Sequence, residues 1–137
     1  MKVYVFGNQD HKEDSAAFEV AKNIMEKPWS SAYKVDFEYV KPNQDLPFIN
    51  EDKVVILDVV SGIDEVKLIS EKDLDKLKIF SSSSVHDFDL GFQIKYLKKL
   101  GKLGKVSIIG IPMNGSINYD SIHSTVKKLV AQDIQGS

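Results

Sequence analysis

Asp14, Asp58 and His86 are the residues of this sequence whose types could do chemistry together. Two carboxylates and an imidazole make an O,O,N donor set. Such a set suits a borderline divalent metal such as nickel or zinc, and three protein ligands leave positions open for water or substrate. The three stand 44 and 28 positions apart (14 to 58, 58 to 86), so only a fold can bring them together. Each also has an ordinary structural use. Asp14 precedes an apolar helical stripe and could cap it. Asp58 could accept N–H bonds from the loop that follows it. His86 precedes a helix and could be a capping or surface group. Spacing alone leaves these uses standing beside the metal reading.

Other chemistry is easier to exclude. The chain has no cysteine, which removes disulfides, thiolate metal sites and cysteine nucleophiles. There is no G-x-x-x-x-G-K-[ST] loop and no G-x-G-x-x-G after the first strand-like run, and acids after Gly7-Asn8 repel phosphate. There is no G-x-S-x-G elbow to activate Ser81 to Ser84, and no H-E-x-x-H helix. His11 falls in a polar loop, and His123 falls in the last helix with a structural or surface role. Lys+Arg 18 against Asp+Glu 20 gives a net charge of -2, which is no nucleic-acid footprint. The lysines at 95, 98, 99, 102 and 105 read as a solvated helix face that could meet an acidic partner.

The elements that must position these groups follow from hydrophobic period. Lys53-Val54-Val55-Ile56-Leu57-Asp58-Val59-Val60 is an unbroken apolar run carrying one acid, as in a parallel strand buried on both faces. The expected strand ends at Asp58, on the edge where open α/β sheets bind ligands. Val3 to Phe6 is a first strand. Ala17, Phe18, Ala21, Ile24 and Met25 recur at helical spacing up to Pro28, with Asp14 or Ser15 as N-cap. Val35, Phe37 and Tyr39 alternate as a less buried strand. Pro42 to Pro47 is loop, and Ser61-Gly62 a turn. Val66 to Ile69 is a candidate short strand, and Leu74 to Leu77 a turn or partial helix. Ser81 to Ser84 marks a ligand-adjacent loop. Leu90, Ile94, Leu97 and Leu100 give a helix that Asp87 could cap and that ends near Gly101 or Gly104. Val106 to Pro112 is a second buried strand. Met113 to Ser116 is a turn, Ile122, Val126, Leu129 and Val130 make the last helix, and Gln135-Gly136-Ser137 is a frayed tail. Strands alternating with helices predict one α/β domain over 1–137: a three-layer sandwich whose mostly parallel, twisted sheet is flanked by helices. No run approaches the roughly 20 apolar residues of a membrane span and no signal peptide is visible, so the expected protein is soluble and cytoplasmic; no long apolar stripe is left over once the core is assigned, so it is expected to be a monomer.

Taken in order, Gly7-Asn8-x5-Asp14-x2-Ala17, Val55-Ile56-Leu57-Asp58, Ser84-Val85-His86-Asp87-Phe88-Asp89-Leu90 and Ile108-Ile109-Gly110-Ile111-Pro112 resemble the hydrogenase maturation endopeptidases. The resemblance runs from the first strand to the last helix. It departs from the family pattern at Asp10, His11 and Ser15, and at Lys41-Pro42-Asn43 after the second strand. It implies an aspartyl-type endopeptidase that clips the C-terminal extension from the immature large subunit of nickel-iron hydrogenase. Carried over by position, the metal-binding and catalytic set is Asp14, Asp58 and His86, with Glu13 in the neighbouring acidic position. The implied nickel belongs to the substrate subunit, so cleavage would depend on metal loading, and the metal would polarise the scissile carbonyl or a water. Neutral imidazole is the ligating form, so binding should weaken as His86 takes a proton below about 6.5. The reading from another class is a non-catalytic α/β module that recognises a metallated partner or a nucleotide at the same strand edge.

Overall fold

The apolar runs become the strands they predict. The computed structural model describes residues 1–6, 15–41, 45–60, 63–73, 90–113 and 116–136. Five strands form one sheet: β1 (Lys2–Phe6), β2 (Asp36–Val40), β3 (Lys53–Val60), β4 (Lys67–Ser70) and β5 (Lys105–Pro112), in the order β2-β1-β3-β5-β4. The first four neighbours in that row run parallel, and β4 alone is antiparallel, against β5. β3 is the central strand and is buried along almost its whole length. It runs to Val60, two residues past the expected end, because Val59 and Val60 keep their register with Ile111 and Pro112.

Alternation along the strands divides the core into two apolar layers. Val3, Val5, Leu57, Val59, Ile109 and Ile111 face one side. There they meet α1 (Ala16–Met25) through Ala17, Val20, Ala21 and Ile24, and α4 (Tyr119–Gly136) through Ile122, Val126, Leu129 and Val130. Tyr4, Phe6, Ile56, Val60, Val106 and Ile108 face the other side, against α3 (Leu90–Lys99) through Leu90 and Ile94 and against Phe48. The result is the expected three-layer arrangement.

Phe48 is fully buried, which alone contributes about 2–3 kcal/mol of apolar transfer. Tyr4 packs edge-on against it at 5.1 Å, and the Tyr4 hydroxyl donates to Glu51, 2.9 Å from each carboxylate oxygen. Burial, then the bond to Glu51 and its charge, push the Tyr4 phenol far above its ordinary value, so it stays a donor. This fastens residues 45–51 across the sheet.

Local differences have local causes. A helix of five residues, α2 (Pro28–Ala32), follows α1. Pro28 ends the apolar stripe as expected, but it also sits in the first turn of α2, where its missing N–H costs nothing. Ser15 rather than Asp14 is the N-cap of α1, and its carbonyl accepts from the N–H groups of Phe18 and Glu19. Met25 and Leu100 sit at the ends of their stripes and are half exposed. After α3, Lys102 N–H bonds Leu97 O and Gly101 N–H bonds Lys98 O, with Gly101 at φ 71°, the left-handed closure that glycine permits. α4 continues through Gln135 to Gly136, so the expected fraying does not reach those two residues. The readings at 42–44, 61–62, 74–77, 81–84, 87 and 114–115 lie outside the described residues.

Candidate active site at the carboxyl edge of the sheet

Asp58 is placed by β3. It is one of two buried polar residues among those described, with 2% of its surface exposed. Its Oδ1 accepts the Val59 N–H at 2.9 Å, and it takes part in at least one further polar or electrostatic interaction. Ile56 and Val60, two residues on either side of it, belong to the layer beneath α3, so its side chain leaves the sheet on that face. Gly110 is its register partner on β5. On the other side Val5 pairs with Leu57, so Phe6, next in the chain, stands beside Asp58.

The sheet order makes this a natural crevice. β1 and β3 are adjacent, yet the chain leaves β1 toward α1 on one face and leaves β3 toward Ile63 on the other. In open α/β sheets, the carboxyl ends of neighbouring strands whose next elements pack on opposite faces are where ligands bind. A carboxylate in so apolar a setting is costly unless something polar or cationic meets it. The bond from Val59 offsets part of that cost, so the structural reading of Asp58 has some support. Its place at the crevice is what a ligand requires.

Asp14 and His86 lie outside the described residues. Asp14 directly precedes Ser15, the cap of α1, on one face. His86 comes four residues before Leu90, which opens α3 on the other face. Among the described residues no three His, Cys, Asp or Glu side chains gather as a metal cluster. Gly110 as a neighbour of Asp58 was not anticipated; the available signal was a lone glycine inside an apolar strand, which often marks a close approach.

His123 serves the far side of α4 and not the crevice. Its Nε2 lies 2.7 Å from Asn23 Oδ1, and its ring stands edge-on to Trp29 at 5.6 Å. It ties α4 to α1 and α2, the structural role expected of it. Burial, then the Lys27 and Lys127 ammonium groups, hold its imidazole below the ordinary value, against the opposite pull of Asp120. The unfolded chain takes this proton near pH 6.5 while the folded chain resists it, so His123 costs stability as pH falls below about 6.5 and costs none above. The wild type should lose more thermal stability than His123→Gln between pH 7.5 and pH 5.5. Parallel losses in melting scans of the two proteins would refute this.

The sequence profile described as HycI, hydrogenase maturation protease, matches residues 40–136, more than half of the chain. The chain belongs to the hydrogenase maturation protease family. That match takes in β3 with Asp58 and the His86 position. Solved structures with the same fold include the hydrogenase maturating endopeptidase HybD from E. coli, 13% identical, with TM-score 0.58 over 99% of this chain and 91% of that one. Another is the NiFe hydrogenase maturation protease HybD from Thermococcus kodakarensis, 18% identical, TM-score 0.52, covering 98% of each chain. A hydrogenase 3 maturation protease is 21% identical, with TM-score 0.55 over 86% of this chain and 76% of that one. At such identities these structures speak for the fold alone. Comparison with curated protein sequences gives no significant match. Among the described residues no helix of this family member is long and apolar enough to cross a membrane.

Proposed function

We propose that this protein is the processing endopeptidase that removes the C-terminal extension of a nickel-loaded hydrogenase large subunit. The observation that carries the reading is Asp58: a buried acid on the central strand, toward the carboxyl edge of the sheet where β1 and β3 are neighbours, in a chain of the maturation protease family. In this reading Asp14 and His86 join Asp58 as ligands. The nickel arrives with the substrate, so the three residues inspect whether the subunit has been loaded. Two carboxylates and one neutral imidazole suit nickel and leave room for the substrate's own ligands. Bound nickel supplies a Lewis acid at the cleavage point. The chain's own part is to supply the donors: Asp58 from the middle of the sheet, with Asp14 preceding α1 and His86 preceding α3 in the sequence.

His86→Ala tests this set. It removes one neutral donor and adds no charge. Processing of a nickel-loaded precursor should slow by roughly 100-fold, the scale on which a lost catalytic electrostatic contact is felt. A normal cleavage rate with His86→Ala would sink the assignment. Binding of the loaded subunit without any cleavage by the wild type would favour the non-catalytic module instead.

A further inference from the structure

We propose that Gly110 is a positioning residue for Asp58, acting through the side chains of Ile63 and Ile69. The inference rests on the reading of Asp58 as a ligand to the substrate's nickel.

Asp58 and Gly110 are register partners on β3 and β5, and both face the layer beneath α3. Adjacent strands lie about 4.8 Å apart, so whatever stands over Gly110 stands beside the Asp58 side chain. A methyl group at position 110 would lie 3.0 Å from Ile69 Cδ1, and 3.3 Å from both Ile63 Cδ1 and Val60 Cγ2. Carbon atoms pack comfortably at about 3.5–4.0 Å, so the space over Gly110 is already filled by these three side chains. All three are buried. They form an apolar wall along the β5 side of Asp58. That wall denies the carboxylate a rotation toward β5 and leaves it the β1 side and the open edge.

The magnitudes make the position sensitive. A methyl at 110 asks its neighbours to give by a few tenths of an ångström. A coordination bond tolerates about 0.2 Å. A displacement that the apolar layer absorbs therefore still misplaces a ligand.

The test is calorimetric titration with Ni²⁺ alone, with the thermal transition followed in parallel. Gly110→Ala should keep the fold and bind Ni²⁺ about tenfold more weakly, the effect typical of a group that orients a ligand. Adding Ile69→Val removes Cδ1, the atom nearest the new methyl, and should restore much of the affinity that Gly110→Ala loses. Ile69→Ala, which opens the wall without adding bulk, should also weaken binding, and it serves if Gly110→Ala fails to fold. Wild-type affinity in folded Gly110→Ala or in Ile69→Ala, with Asp58→Asn unable to bind, overturns the positioning role and leaves the Asp58 reading standing. Wild-type affinity in Asp58→Asn overturns both. Absence of any Ni²⁺ binding by the wild-type chain overturns the inference as well.

Discussion

Replacing Asp58 with Asn should lower processing of the nickel-loaded precursor by roughly 100-fold or more while leaving the protein folded. The two halves of this expectation have separate causes. Asn has the shape of Asp and retains an oxygen for the Val59 N–H, so the 2.9 Å bond that anchors the side chain survives. Burial of the position is unchanged, and the two apolar layers on either side of β3 are not disturbed. What disappears is the negative charge. A neutral amide is a far weaker ligand for a divalent metal than a carboxylate, and a loss of this size corresponds to about 2.7 kcal/mol of transition-state stabilisation. Steady-state cleavage and a melting curve on the same preparation separate the cases. A collapse of stability with little change in the rate of the folded fraction would make Asp58 a structural acid.

The second large effect is expected far from the crevice. Gly104→Ala should destabilise the protein by about 3 kcal/mol or more, at or beyond the upper end of ordinary overpacking. Gly104 sits where the entrances to β3 and β5 touch. Its N–H donates to Glu51 O at 2.9 Å, and the next N–H, of Lys105, donates to Asp52 O at 2.8 Å. A Cβ at 104 would fall 1.9 Å from Asp52 O and 2.4 Å from the Asp52 carbonyl carbon. Both obstacles are backbone, so no rotamer change relieves them. The two longest strands of the sheet would have to separate at their start, and the two bonds would be lost with them. For a domain of this size the melting temperature should drop by roughly 10 °C. A drop of a degree or two would show that the crossing is softer than its geometry. The contrast with Gly110 is instructive, since there the obstacles are the ends of isoleucine side chains.

Much of this architecture is readable before any fold is known, and the reasons differ from element to element. Lys53 to Val60 could hardly be anything but a strand covered on both sides, because six apolar residues surround one acid with no helical period. The stripes of α1, α3 and α4 announce themselves in the same way. Pro28–Ala32 does not, since five residues span barely more than a turn and show no period. The direction of β4 was equally hidden: Lys67-Leu68-Ile69-Ser70 reads identically parallel or antiparallel, and only its pairing with β5 decides. The strand end at Val60 is hidden as well, because a lone acid looks like a boundary, whereas the neighbouring register with β5 carries the strand past it.

For the site the division is sharper. The burial of Asp58 follows from its apolar neighbours in the chain, and its place at a sheet crevice follows from the strand order. The proposal that Asp14 and His86 join it rests on the family resemblance. No local pattern encodes a convergence of residues separated by whole elements. The same holds for Gly110, whose partnership with Asp58 exists only through the register of β3 with β5.

The most direct test of the proposed function is the intact mass of a purified hydrogenase large-subunit precursor incubated with this protein, with and without prior nickel loading. Loss of a C-terminal peptide from the nickel-loaded precursor alone is the expected result. Equal cleavage of the nickel-free precursor, or an uncut precursor in both samples, would contradict it.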